Sequence, residues 1–148
     1  MTTTEAVPHP VLFERDETAW LDAMSRLVAE RRFSELDAPN LSEYLADMAR
    51  RDRREVESRR VTLMTHLLKW EYQPESRSRS WQGTIAEQRR ELRKLLESGT
   101  LYNHAQTQIA ECYEDARKQC AIETGLPRET FPADCDWSLD RLITDDGV

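Results

Sequence analysis

The sequence lacks the features of a membrane protein and of a secreted protein. No apolar run approaches the roughly 18 residues that span a bilayer, and the N-terminus has no secretory pattern. Glycine and proline are scarce, at 4 and 6 of 148 residues, whereas charged residues make up 33%. This balance disfavours folds with many tight turns and favours helices. We therefore expect a cytoplasmic helical protein that has no contact with a membrane.

Cysteine is equally scarce, and its three residues form no recognisable site. There is no Cys-x-x-Cys pair and no zinc spacing. Cys112 and Cys120 are too far apart on one predicted helix for a disulfide, at about 12 Å, so we interpret the cysteines as small buried side chains. A phosphate-binding glycine loop, a helix-turn-helix pattern and a known nucleophile signature are also absent, and we predict no cofactor.

What the sequence does contain is charge, and the charge is segregated. Residues 1–49 hold 4 basic and 10 acidic side chains, a net charge of −6. Residues 50–94 hold 13 and 7, and residues 95–148 hold 4 and 11, which gives +6 and −7. The basic middle has two interpretations. It complements acidic neighbours inside the fold, or it forms a surface for an anionic partner.

Apolar residues recur at helical spacing in four long segments. They predict helix A over 16–32, helix B over 40–70, helix C over 80–98 and helix D over 100–123. Helix B has no internal glycine or proline, so we expect it to be continuous. Capping residues are predicted at Asn40, Ser80 and Ser138, with stops at Gly99 and Gly125.

The predicted fold class is all-α, an antiparallel four-helix bundle. Residues 1–12 are expected to be a disordered lead-in, and 13–148 a single bundle domain. After Gly125, the apolar residues Leu126, Phe131 and Trp137 predict a C-terminal tail that folds back with one short helix.

Several short motifs, in order, resemble those of a known family. They are Glu55–Arg59, His66–Trp70, Arg77–Trp81, Tyr113–Arg117 and Glu123–Pro127. The chain resembles the bacterial family called domain of unknown function 29, frequent in cyanobacteria and proteobacteria. The resemblance covers most of the chain and implies an all-helical fold. It implies no activity, so no catalytic residue is carried over.

The turn between helices B and C is a candidate anion-binding site. Arg77 and Arg79 precede a predicted helix start, and Trp81 could stack on a base. The alternative is a solvated turn whose arginines pair with acidic residues of helix D.

A second candidate is a polar layer between helices B and C. The stripe of helix B passes through an aliphatic gap, and its continuation predicts that five polar residues share the layer. They are Asp52, Glu55, Arg59, His66 and Gln88. Such a layer fixes helix register, or forms a small pocket in which His66 titrates.

A weaker candidate is the acidic group Glu111, Glu114 and Asp115, whose carboxylates share part of a helix face and could hold a divalent ion. No facing acidic cluster matches it, so we predict no metal. The sequence thus predicts a protein-interaction or adaptor module with a protein partner. The alternatives are nucleic-acid or polyanion binding through 50–94, and a metal-dependent nucleotide hydrolase. The sequence does not indicate an oligomeric state.

Overall fold

A computed structural model describes residues 7–144, and within them all regular structure is helical. The all-α prediction is confirmed, but the described chain has seven α-helices, where four bundle helices and one short tail helix were predicted. The predicted antiparallel four-helix packing stays a prediction. The helices are α1 His9–Arg15, α2 Glu17–Ala29, α3 Ala38–Tyr72, α4 Arg79–Leu95, α5 Gly99–Thr107, α6 Ile109–Thr124 and α7 Leu139–Thr144.

The chain separates into two compact units, residues 1–50 and 51–148. The boundary between the two units falls inside α3. The sequence analysis predicted a single bundle domain over residues 13–148. Each unit has a hydrophobic core of its own.

The core of the first unit is built around Trp20, which is fully buried with Met24 and Leu27 beside it. The Trp20 indole Nε1 donates a hydrogen bond to Asp37 at 3.1 Å. Phe13 meets the Trp20 ring edge-on at 4.7 Å between ring centroids. This contact stabilises α1, which begins at His9, inside the stretch that was predicted to be a disordered lead-in. Residues 1–6 of that stretch lie outside the described residues.

Helix α2 ends three residues earlier than predicted, at Ala29. Arg31 takes the left-handed conformation, with φ 57°, and its N–H bonds the Val28 carbonyl. The Arg32 N–H bonds the Leu27 carbonyl. This is the Schellman termination of a helix, here formed without glycine.

Helix α3 is continuous, as predicted, and is longer than predicted at both ends. Pro39 lies in its first turn, where a missing N–H costs nothing. The buried face of its second half differs from the predicted stripe. It consists of Val56, Arg60, Leu63, Met64, Thr65 and Leu68.

The second unit holds α4, α5 and α6, and its helix ends correct three sequence predictions. Ser78, not Ser80, caps α4 by accepting a bond from Trp81 N at 3.2 Å. Gly99 opens α5 after the cap Ser98, although it was predicted as a stop. Predicted helix D is interrupted at Gln108 and forms α5 and α6. Gly125 ends α6 with φ 71°, as predicted.

The segment after Gly125 packs into the second core, as the sequence predicted. Phe131, Leu139 and Leu142 are each 1% exposed, and Leu126 and Trp137 pack against them half-buried. The Ser138 hydroxyl accepts a hydrogen bond from Arg141 N at 3.2 Å and so caps α7. Within the described residues, no helix has the length and apolar character needed to cross a membrane.

The burial of Phe131 predicts a large stability loss when its ring is removed. Phe131→Ala should lower the free energy of unfolding by about 3–5 kcal/mol, because it leaves a cavity. The matched control is Phe33→Ala, since Phe33 is 59% exposed, and it should change stability by less than about 0.5 kcal/mol. Urea unfolding followed by circular dichroism measures both. A loss for Phe131→Ala as small as that expected for the control would show that the tail is loosely held.

Candidate functional site

The first unit exposes apolar side chains that the sequence pattern assigned to a core. Leu45 lies on the α3 stripe between Leu41 and Met48, yet it is 60% exposed. Val28, on the predicted stripe of α2, is 48% exposed, and Phe33 is 59% exposed. Within the described residues, five of the six exposed large hydrophobic side chains belong to the first unit. The sixth is Ile122 on α6.

The predicted anion site is only partly open. The Arg77 Nε donates to the Trp70 carbonyl at 2.8 Å, and its guanidinium lies 4.9 Å from the centre of the Trp70 ring. The Lys69 ammonium lies 4.9 Å from the Trp81 ring centre. Arg79 is exposed and, within the described residues, makes no hydrogen bond or ion pair. Arg77 therefore bonds the end of α3 rather than an acidic residue of predicted helix D, and anion binding at the turn stays a prediction.

Three of the five residues of the predicted polar layer come together. The Arg59 guanidinium bonds Glu55 at 3.0 Å and Gln88 at 3.2 Å. Asp52 is exposed and does not join them. The Nδ1 of His66 lies 2.8 Å from the Thr62 carbonyl, which makes that nitrogen the donor. Arg59 keeps 27% of its side chain exposed, so the cluster lies at the surface and not in a buried layer.

One member of the predicted acidic group on α6, Glu114, binds arginine. Glu114 forms an ion pair with Arg117 at 2.9 Å and another with Arg128. These hydrogen bonds hold the pKa of the Glu114 carboxyl below its usual value. Among residues 7–144, no group of three or more His, Cys, Asp or Glu side chains is placed to hold a metal ion.

The three cysteines have the environment of structural side chains. Burial raises the pKa of Cys112 and Cys135, and raises that of Cys120 to about 11. A nucleophilic or metal-binding cysteine needs the opposite shift.

Comparison with known protein families matches residues 12–147 to the family described as domain of unknown function DUF29. The chain belongs to the DUF29 family. No curated protein and no solved structure matches it.

Within residues 7–144 the DUF29 chain buries three arginines, and the sequence patterns did not predict this burial. Arg60 is fully buried, Arg89 is 5% exposed and Arg117 is 9% exposed. Each of them donates to a backbone carbonyl. Their acceptors are Ala105 for Arg60, Leu142 for Arg89, and Arg128 and Phe131 for Arg117.

Arg60 connects α3 to the interruption between α5 and α6. One terminal nitrogen donates to the Ala105 carbonyl at 2.5 Å, and the other lies 3.3 Å from the Cys112 sulfur. Gln108 N is the backbone partner of the same carbonyl, at 3.3 Å. In the described chain no carboxylate pairs with Arg60. The guanidinium instead meets the carbonyl end of α5, where the helix dipole places partial negative charge.

The sequence did contain a signal for Arg60. It lies four residues after Val56 and three before Leu63, which is the spacing of a core position on one helix face. Following the apolar stripe through its aliphatic gap indicates Asp52 and Arg59 as core-facing instead. The spacing of apolar residues does not predict that the aliphatic part of an arginine is buried or that its guanidinium bonds a backbone carbonyl.

An open groove of about 460 Å³ separates α3 from α6 within the second unit. Its α3 side carries Glu57, Thr62 and His66, and its α6 side carries Asp115 and Glu123. Lys69 on α3 pairs with Glu123 across it at 3.4 Å. The groove is polar, and side chains of both charges line it.

The role of Arg60 predicts a stability loss specific to this arginine. Arg60→Ala should lower the free energy of unfolding by about 2–4 kcal/mol, since it removes a packed stem and leaves the Ala105 carbonyl without the guanidinium. Arg54→Ala on the same helix is the control, because Arg54 is exposed and has no partner in the described chain. Thermal and urea unfolding of both variants measure the difference. Similar losses for the two would contradict the role of Arg60.

Proposed function

We propose that this DUF29 protein is a protein-interaction module whose first unit binds a basic, amphipathic segment of a partner protein. The observation that supports this most is the exposure of Leu45, 60%, at a position on α3 whose neighbours along the stripe, Leu41 and Met48, are half-buried. A side chain at such a position is normally covered.

The energetic argument rests on the amount of apolar surface left in water. Fully burying one large apolar side chain contributes about 1.5–3 kcal/mol. Single exposed apolar residues are ordinary on any surface. Here they are concentrated, since Val7, Val11, Val28, Phe33 and Leu45 all belong to the first unit. A partner segment that covers two or three of them would gain this burial energy toward the cost of association.

The negative net charge of the first unit favours a basic partner. Residues 1–49 carry a net charge of −6, so a basic segment is attracted to them and an acidic one is repelled. The same charge opposes association of this surface with its own copy. We therefore favour a basic partner over a homodimer through the first unit.

The alternative of polyanion binding through residues 50–94 has less support. Five of the thirteen basic residues there pair with carboxylates: Arg50, Arg59, Lys69, Arg90 and Lys94. Four more donate to backbone carbonyls: Arg60, Arg77, Arg89 and Arg93. At least nine of the thirteen basic side chains therefore already have a partner within the fold, which weakens this alternative.

A photo-crosslinking residue in place of Leu45 tests the proposal. Ile122 is the matched control position, because it is an aliphatic residue 77% exposed on α6 in the second unit. We expect crosslinking from position 45, and not from 122, to a protein whose captured segment is basic and amphipathic. For that partner, Leu45→Gln should weaken binding about tenfold while the helical content is unchanged.

Two results would contradict the proposal. One is capture of the same proteins from both positions, which would indicate non-specific contact. The other is wild-type affinity of Leu45→Gln for the captured partner.

A further inference from the structure

A small pocket lies in the second unit where the end of α3, the middle of α6 and the loop 132–137 meet. Its volume is about 60 Å³, enough for a few water molecules or for the head group of one side chain. Aromatic rings and carboxylates line it together. The rings are those of Tyr72, Tyr113 and Trp137, and the carboxylates are those of Glu71, Asp134 and Asp136.

The aromatic wall is held in place by the fold. The Tyr113 hydroxyl donates to the Pro132 carbonyl at 2.6 Å, which fastens the loop to α6. The Tyr113 and Trp137 rings meet edge-to-face at 5.9 Å between centroids and 82° between planes. Tyr72 meets Phe131 in the same way, at 5.5 Å and 89°. The pocket is therefore pre-formed, so a ligand would not have to order it.

The carboxylates of the pocket have no cation of their own. In residues 7–144, neither Glu71, Asp134 nor Asp136 forms an ion pair or hydrogen bond through its side chain. The cation that precedes them on α3, Lys69, is engaged with Glu123 and lies against Trp81. Elsewhere in the same unit, carboxylates such as Glu114 are bound by arginine.

The negative charge acts on the aromatic wall itself. Burial raises the pKa of the Tyr72 hydroxyl, and the charges of Glu71 and Asp136 raise it further. Burial raises the pKa of Tyr113 to about 12; the charge of Arg117 opposes this rise, and that of Asp136 adds a smaller contribution to it. The raised pKa of each hydroxyl keeps both tyrosines neutral, and the nearby carboxylates add negative charge on this side of the pocket.

We propose that this pocket binds the ammonium or guanidinium head group of an organic cation, between the aromatic rings and the three carboxylates. Aromatic faces and carboxylates are the groups that attract such cations. A metal ion fits less well, because no His, Cys, Asp or Glu group in the described chain converges closely enough to hold one. Anionic ligands are repelled by the same carboxylates. The inference does not rest on the function proposed for the first unit.

Titrations followed by NMR at the indole N–H of Trp137 test the site, with the resonance assigned from Trp137→Phe. The probes are N-acetyl-arginine amide and N-acetyl-lysine amide, with neutral N-acetyl-glutamine amide as a blank and sodium chloride at matched ionic strength. We expect saturable shifts with one or both cations, at affinities on the order of millimolar, and none with the blank.

A charge-matched pair of variants separates the pocket from general attraction to an acidic protein. Glu71→Gln with Asp134→Asn and Asp136→Asn should weaken cation binding about tenfold. The control removes three exposed carboxylates outside the pocket, by Glu75→Gln, Glu97→Gln and Glu129→Gln. It changes the net charge equally and should leave the affinity within about twofold. Equal weakening by both triple variants, or absence of a saturable shift in the wild type, would overturn the proposal.

A peptide arm identifies the source of the cation. The peptide Ac-Gly-Gly-Arg-Gly-Gly-amide, or its lysine form, should bind at least as tightly as the free amide if the site takes a side chain of another protein. Binding of the free amide but not the peptide would support the cation site with a small-molecule ligand. Failure of all the cationic probes would refute the site and would leave the proposal for Leu45 unaffected.

Discussion

The second unit depends on the placement of one buried charge. Arg60 lies at the centre of the buried face of α3, fully covered, and its guanidinium meets the carbonyl end of α5. An unpaired charge in a protein interior is very costly. Here the cost is offset by a helix terminus, whose free carbonyls carry partial negative charge and need donors. One contact therefore places the guanidinium beside partial negative charge and supplies a donor at the break between α5 and α6, while the buried Arg60 Nε has no hydrogen-bond partner.

The same chemistry recurs where the tail joins the unit. Arg89 and Arg93 on α4 donate to the carbonyls of Leu142 and Ile143, at 2.9 and 2.8 Å, in the short helix α7. Arg117 on α6 donates to the carbonyls of Arg128 and Phe131, in the segment between α6 and α7. A guanidinium suits this task, because it offers several donors in a fixed plane while its stem packs against apolar neighbours. The basic composition of the middle of the chain is thus largely a structural feature.

The sequence predicted the helical class, the continuous α3, the stop at Gly125 and the cap at Ser138, because these follow from local signals of periodicity, proline, glycine and serine. It missed the break at Gln108, which has no glycine or proline and is matched by a donor from Arg60, 48 residues earlier in the chain. The role of Arg60 itself was missed for the same reason. The break at Gln108 and the role of Arg60 both involve a hydrogen bond between residues far apart in the chain. The spacing of residue types along the sequence does not predict such a bond.

The candidate sites show the same limit. The contact between Arg59 and Gln88 could be predicted from helix pairing across a short turn. The aromatic and acidic pocket could not, because Tyr72, Tyr113 and Asp136 come from three separate segments.

That pocket and the exposed Leu45 share a chemical property. The fold binds many of its own cations internally and leaves apolar side chains and unpaired carboxylates at its surface. With a net charge of −7, such a surface attracts cations, and we therefore propose cationic ligands at both places.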